Sequence, residues 1–302
     1  MIKPAVPFVS CVITAHNRAA FLPAALDSAL GQDFPPSERE IIVVDDGSTD
    51  DTAIVLGRYH GKIRVLRQAN RGQGEATRAG ILAASGEIIA ALDSDDVWLP
   101  QKLSRVARAF RRHPDLVAVC HADQSVDEQL RPMEVRWAAP PLVEDRLFNL
   151  DSDSVLRFHP SKNAFAGILM CTSGSCWAVR KSALAATIER CAPPPRASDI
   201  FYAFLAMATG GKALRLAEPL ALYRRHRGSV AFYPNVDADF DKKIRLRRWD
   251  VDAARRVLEV LDAARRPVLA ADLRTIMMAL TAEIAFLESA PPRPDAAAAQ
   301  RS

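Results

Sequence analysis

Short apolar runs alternate with segments of helical spacing from the start of the chain, and each run ends in a polar cluster. Phe8-Val9-Ser10-Cys11-Val12-Ile13 reads as a strand closing on Thr14-Ala15-His16-Asn17-Arg18. Leu22, Leu26, Ala29 and Leu30 then share one side of a helix over 21–30. Glu40-Ile41-Ile42-Val43-Val44 is a second strand closing on Asp45-Asp46-Gly47-Ser48, and acidic Asp50 and Asp51 suit the first turn of the helix after it. Ile63-Arg64-Val65-Leu66 is a third strand, followed by Asn70-Arg71-Gly72-Gln73-Gly74 and a helix through Ala84. Ile88 to Leu92 is a fourth, ending in Asp93-Ser94-Asp95-Asp96; a helix over 101–112 and a fifth strand, Leu116 to Cys120, complete the series. Repeated βα units with strands apolar on both faces predict an α/β fold with a doubly wound, mostly parallel sheet. The polar clusters then share one edge of that sheet, where open α/β sheets bind ligands.

The later pattern is less regular. Residues 123–165 carry four prolines without long periodicity, which suggests an insertion over the sheet edge. Cys171 to Val179 reads as a strand, 181–190 as a helix, 200–208 as a helix behind Ala197-Ser198-Asp199, and Lys212 to Leu216 as a strand. From Ala238 to Glu288 the spacing is helical, broken near Arg266-Pro267. The basic stretch near 242–249 (Lys242, Lys243, Arg245, Arg247, Arg248, Trp249) fits a solvated packing helix, or peripheral contact with an anionic membrane. The tail after Pro291 is Ala/Pro-rich and is expected to be disordered. The expected division is 1–235 as the main domain (halves about 8–122 and 123–235), 236–290 as a helical extension and 291–302 as a tail.

Composition narrows this picture modestly. The 302 residues are 49% hydrophobic and 25% charged, with a net charge of +4, which does not favour nucleic acid as a ligand. Five scattered cysteines argue against a disulfide framework, and Cys171 and Cys176 lack a second pair for zinc. Cysteine usage and the interrupted N-terminus suit a cytoplasmic protein, one able to rest on the inner face of a membrane. Three carboxylates within Asp93–Asp96 are costly to cluster unless a cation lies among them, and a divalent ion with oxygen ligands is the natural one. A solvated turn with a helix cap is the alternative.

Three segments carry a specific resemblance: Val12-Ile13-Thr14-Ala15-His16-Asn17-Arg18, Ile42-Val43-Val44-Asp45-Asp46-Gly47-Ser48-Thr49-Asp50, and Leu92-Asp93-Ser94-Asp95-Asp96-Val97-Trp98. In this order and spacing the chain resembles family 2 glycosyltransferases of GT-A fold, strongly over about 8–122 and loosely over about 170–230. The resemblance implies inverting transfer from a nucleotide-diphosphate sugar, here a UDP-sugar, to a glycan, lipid-linked or small-molecule acceptor, with Mg²⁺ or Mn²⁺ and a place in polysaccharide biosynthesis. It assigns Thr14, Ala15, His16, Asn17, Arg18, Asp45, Asp46, Arg78, Asp93 and Ser94 to the donor nucleotide. Asp45 or Asp46 reads the base, and Asp93 reaches the ribose. Asp95 and His226 hold the metal, Ser173 and Gly174 line the acceptor side, and Asp199 is the general base. Thr14-Ala15 and His16 depart from the family's more usual Pro-Thr and tyrosine, and Ser198 stands where an acid often precedes the base. Two competing readings are a non-catalytic nucleotide-sugar-binding module of a larger assembly and a nucleotidyltransferase. The second is disfavoured by the lack of glycine after the first strand. Gly228-Ser229-Val230 is a candidate lid.

Overall fold

The computed structural model describes residues 9–133, 144–154, 156–159, 164–167, 173–185, 187–189, 191–196, 198–226 and 240–289. The side chains of 156–159, 164–167, 198–200 and 240 fall outside the description, as do the tail after Pro291 and the candidate lid. The first half builds as its pattern predicts. Strands β1 (Val9–Ala15), β2 (Arg39–Asp46), β3 (Arg64–Gln68) and β4 (Ile88–Asp93) lie in the order β3-β2-β1-β4, and the three neighbouring pairs are parallel. They are joined through helices α1 (Leu22–Leu30), α2 (Thr52–Gly57) and α3 (Gln73–Ala83).

Successive residues of β1 enter opposite cores. Cys11 and Ile13 pack with Leu22 and Leu26 of α1, whereas Val12 packs with Ala76 and Ile81 of α3. This is why the central strands read as continuous apolar runs: both faces are covered. At the strand ends away from the polar clusters, Glu40 ties three segments together. Its Oε1 accepts Ser10 Oγ–H at 2.6 Å and the Ser85 N–H and Oγ–H at 2.6 and 2.7 Å, while Gly86 N–H donates to Ser10 Oγ at 2.9 Å.

The second half departs from a simple continuation. A short β5 (Val97–Trp98) and helix α4 (Lys102–Arg112) lead into β6 (Leu116–Val126). Of the stretch expected as a strand from Cys171, Cys171 and Thr172 lie outside the described residues, Gly174–Cys176 is a 3₁₀ turn, and β10 (Trp177–Arg180) follows. That four-residue strand inserts between β4 and β6 and runs antiparallel to both, so the sheet is mixed. The helix expected over 181–190 is α5 (Lys181–Ala185), and α6 (Ser198–Met207) begins two residues earlier than its pattern suggests. β11 (Lys212–Arg224) is far longer than its apolar core, because register shifts around Pro219 let it continue along β6 and then pair with β5. From the irregular middle, β7 (Arg146–Asn149) joins β11, and β8 (Leu156–His159) and β9 (Ala164–Gly167) form a separate ribbon.

Helices α7 (Phe240–Ala263) and α8 (Pro267–Ser289) break at the position the sequence indicates. Ala253, Ala254, Val257 and Leu261 form the buried stripe of α7, joining the core that holds α6. The basic face of α7 meets acids of α8: Lys243 and Arg247 pair with Glu283, and Arg248 with Glu288. Among the described residues no helix is long and apolar enough to cross a membrane.

The Glu40 contacts make a pH-dependent contribution to stability. Burial raises its pKa, but the hydrogen bonds from Ser10 and Ser85 outweigh this and leave it below 4.5. A depressed native value stabilises the fold above the unfolded-state value, and the contribution disappears as pH falls through the native one. Glu40→Gln is therefore expected to lose about 1–2 kcal/mol at pH 7. In urea unfolding, its deficit relative to wild type should shrink progressively below about pH 4.3.

Candidate active site

Ladder register brings the polar clusters to one sheet edge. Thr14 pairs with Val44 on one side and Asp93 on the other, and Ala15 pairs with Asp45. The Asp93–Asp96 turn, closed by an Asp96 N–H bond to Asp93 O at 3.1 Å, stands at the middle of that edge.

Its three carboxylates have separate environments. Asp93 Oδ1 accepts Gln73 Nε2–H at 3.0 Å from the first residue of α3. Asp95 Oδ2 lies 3.1 Å from His226 Nε2 and 3.3 Å from Arg18 Nε, so groups far apart in the chain meet on one oxygen. Burial raises the Asp95 pKa, but the His226 hydrogen bond and the Arg18 charge outweigh it and hold the carboxyl below its ordinary range. Asp96 is wholly buried, accepting Ser175 Oγ–H at 2.6 Å and Arg224 N–H at 2.9 Å. Burial, reinforced by the Asp95 and Asp93 charges, pushes its pKa well above the ordinary value. Asp96 therefore braces the turn from beneath and does not face a ligand. Ser94 is also buried.

The antiparallel β5–β11 pairing explains how His226 arrives there. Leu222 opposite Val97 sets Arg224 and His226 beside the acidic turn. Phe21 packs against the His226 ring at 4.2 Å between centroids, and the Arg224 guanidinium lies 5.0 Å from the Phe21 ring. A divalent ion with ligands at about 2.1 Å and right angles separates neighbouring donors by about 3 Å, which the Asp95–His226 spacing matches. The carboxylate suits a hard ion such as Mg²⁺ or Mn²⁺ and the imidazole a softer first-row ion, so the pair could supply two ligands to a divalent metal, with substrate phosphates and water as the others. Among the described residues no group of three or more His, Cys, Asp or Glu forms a complete metal cage.

At the neighbouring strand ends the two acids of β2 diverge. Asp46 is occupied by its own loop, its Oδ1 accepting from Gln68 Nε2 at 2.8 Å and Arg71 N at 2.9 Å, and its Oδ2 from Gly72 N at 2.9 Å. Asp45 Oδ1 accepts Ser48 N–H at 3.0 Å, while its second oxygen takes no protein donor among the described residues. The His16 Nδ1 lies 2.8 Å from Asp46 O, and its ring also approaches the Asn70 amide at 3.1 Å. Asn17 adopts φ of 54°, a left-handed conformation that asparagine tolerates. Its Oδ1 holds the Thr49 N–H at 2.8 Å. The N–H groups of Asn17, Arg18 and Ala19 are engaged by Ser48, Thr52 and Asp50, so these three residues offer no open backbone N–H to a phosphate. Helix α1 starts only at Leu22. Arg78 pairs with Glu75 at 3.8 Å and makes no ion pair or hydrogen bond with the acidic turn.

Of the two residues expected on the acceptor side, Gly174 lies against Asp93. Ser173 Oγ is 3.3 Å from Cys176 Sγ. A Cβ on Gly174 would sit 2.6 Å from Asp93 Oδ2, so only glycine permits this approach. Asp199 is the second residue of α6. That helix is tied to the start of α3: Tyr202 Oη–H donates to Gly74 O at 2.8 Å, and Gly74 N–H reaches Pro195 O at 3.4 Å. A Cβ on Gly74 would lie 1.9 Å from Pro194 O. Asp93 thus connects to the start of α6 through Gln73 and Gly74. Gln73, Ser175 and Phe21 carry this geometry without any sequence signal, since each acts through a neighbour supplied by folding.

Comparison with known proteins agrees with this architecture. The structure resembles *Staphylococcus aureus* TarS residues 1–349 in complex with UDP-GlcNAc at a TM-score of 0.55 and 18% identity, over 84% of this chain and 70% of that one. It resembles a mannosyltransferase from *Pyrobaculum calidifontis* in complex with GDP-Man and Mn²⁺ equally well, again 0.55 and 18%, over 99% and 80%. The fold is therefore that of GT-A-like nucleotide-sugar transferases. The model of glycosyl transferase family 2 matches residues 10–187, and the chain belongs to that family. An uncharacterized glycosyltransferase of *Nostoc* sp. is 39% identical over 142 residues, 45% of this chain and 43% of the relative. The chondroitin synthase of *Escherichia coli* is 32% identical over 127 residues, 41% and 18%. The chain thus matches less than half the length of these curated relatives.

The Gly174 contact gives a direct test of the site. Gly174→Ala should displace the Asp93 carboxylate at an overpacking cost of about 1–3 kcal/mol. Calorimetric titration with nucleoside diphosphate is expected to show affinity falling about tenfold or more, with the circular dichroism spectrum unchanged.

Proposed function

We propose that the protein transfers a sugar from a nucleoside-diphosphate donor to an acceptor hydroxyl with inversion at the anomeric carbon. The observation that carries this reading is the convergence of Arg18, Asp95 and His226 at the ligand-binding edge of a GT-A-like sheet. In this reading residues 8–122 form the nucleotide half and 123–235 the acceptor half. Asp45, with one oxygen open, accepts a base N–H, and Asp93 accepts a ribose hydroxyl. Asp95 and His226 would hold Mg²⁺ or Mn²⁺, which would supply Lewis-acid neutralisation of the leaving diphosphate.

Asp199 takes the proton from the acceptor hydroxyl as that oxygen bonds to the anomeric carbon from the face opposite the diphosphate. The bond from that carbon to the diphosphate oxygen breaks, and its electron pair leaves with the nucleotide. The link from Asp93 through Gln73 and Gly74 to α6 supports this division, because it fixes the base-bearing helix relative to the ribose-binding carboxylate. A UDP-sugar is the donor of choice here, consistent with the UDP-GlcNAc complex of the TarS neighbour, although the mannosyltransferase neighbour carries GDP-Man. The chondroitin and hyaluronan synthase relatives favour a carbohydrate acceptor and a role in polysaccharide synthesis.

A thermal-shift screen of nucleoside diphosphates with and without Mn²⁺ tests donor binding. One nucleotide should raise the melting temperature more when the metal is present, and Asp95→Asn should remove the metal-dependent part. An equal response in that variant would remove Asp95 from the metal site.

Asp199→Asn should retain nucleotide binding but lose about 10²-fold or more in transfer rate, as expected for removal of a general base. Turnover at the wild-type rate would exclude Asp199 as that base.

A further inference from the structure

Arg196 is set apart from the other arginines around it. Arg247, Arg248 and Arg256 on the neighbouring helix all pair with carboxylates. Arg196 is partly buried, has no carboxylate partner and donates no hydrogen bond among the described residues. Its guanidinium instead rests over the Trp249 ring of α7, 5.5 Å from the centroid. A guanidinium carries five N–H donors, and no acceptor among the described residues takes those of Arg196, which leaves them open to solvent or to a ligand. Burial, and then the positive charge of Arg18, hold its pKa below the ordinary arginine value, so the two cations feel each other. Arg18 has Asp95 as a counter-charge; among the described side chains Arg196 has none.

This placement is rigid. The preceding Pro194 and Pro195 pack against Gly74, and Tyr202 pins the same helix start to the Gly74 carbonyl. Trp249 is fixed because the next turns of α7 bury Ala253, Ala254 and Val257 against the core. The cation is thereby held three residues before Asp199 and within the electrostatic reach of the Arg18–Asp95 pair.

We propose that Arg196, braced by Trp249, binds an oxyanion carried by the acceptor, a phosphate or a carboxylate, so that the preferred acceptor is an anionic sugar or phosphorylated alcohol. The proposal rests on the glycosyltransferase reading and adds a substrate class to it. A planar guanidinium suits either group, because its paired N–H donors match two oxygens. The acceptor is favoured over the donor diphosphate as the source because Arg196 shares its segment with the proposed base. The leaving diphosphate already has Arg18 and the Asp95–His226 pair.

Inorganic phosphate is the probe. It is titrated by calorimetry into the full chain saturated with Mg²⁺ and the nucleoside diphosphate that stabilises it best. Wild type should bind phosphate in the presence of nucleotide, Arg196→Ala should bind about tenfold more weakly or worse, and Arg196→Lys should fall between them. An unchanged melting temperature for both variants shows that the fold persists. Phosphate binding that nucleotide abolishes would assign the cation to the donor and overturn the proposal, as would equal binding by Arg196→Ala or none by wild type. Methyl glucuronide and methyl glucoside then compare acceptors. Wild type should favour the charged member by about tenfold or more in kcat/KM, and Arg196→Ala should lose that preference. Absence of any nucleotide binding would defeat the glycosyltransferase reading instead, and phosphate titration of the nucleotide-free chain would still show whether Arg196 holds an oxyanion.

Discussion

A carboxylate in a closed interior must be satisfied by fixed donors, and Asp96 meets this requirement through two segments remote in sequence. Ser175 Oγ–H and the Arg224 N–H both point at it. Ser175 does more than cap the acid. Its hydroxyl accepts the Asp93 N–H at 3.0 Å, and its carbonyl accepts Trp98 Nε1–H at 3.0 Å and a bond from the buried Lys102 ammonium. One serine therefore joins the end of β4, the β5 segment, α4 and the turn before β10. Withdrawing any partner would leave a buried polar group unpaired, at a typical cost of about 1–3 kcal/mol. The Asp95–His226–Arg18 meeting depends on this joint, because Asp96 and Arg224 fix the backbone positions from which Asp95 and His226 project.

A second joint links the two halves of the molecule. The start of α3 carries Gln73, which touches Asp93, and Gly74, against which Pro194, Pro195 and Tyr202 pack. Its tolerance is narrow, since no side chain larger than hydrogen fits at Gly74. This contact ties the position of α6 to the start of α3. The α7–α8 hairpin takes part through Trp249 and through Arg266, which donates to the carbonyls of Ala208 and Thr209 behind α6.

Much of the first half was legible in the sequence because the responsible interactions are local. Strands β1 to β4 are apolar on both faces and end in polar clusters. Parallel pairing then necessarily sets Thr14, Asp45 and Asp93 side by side. The acids within those clusters could not be sorted in the same way. Asp45 and Asp46 are adjacent and chemically identical, and only the Gln68–Gly72 loop closing on Asp46 separates an engaged carboxylate from one with an open oxygen. Similarly, nothing local to Asn17–Ala19 shows that the side chains of Ser48, Thr52 and Asp50 occupy its backbone N–H groups.

The sequence by itself determined the alternation of elements, the family resemblance and the sheet edge on which the acids gather. Period and strand-end polarity are short-range properties that any local stretch displays. Tertiary structure alone decided the antiparallel insertion of β10, the extension of β11 past Pro219, the burial of Asp96 and the meeting of Arg18, Asp95 and His226. It also set Arg196 over Trp249 with no counter-charge among the described side chains. Each of these depends on which distant segments touch, and contact energies between remote residues leave no periodic trace along the chain.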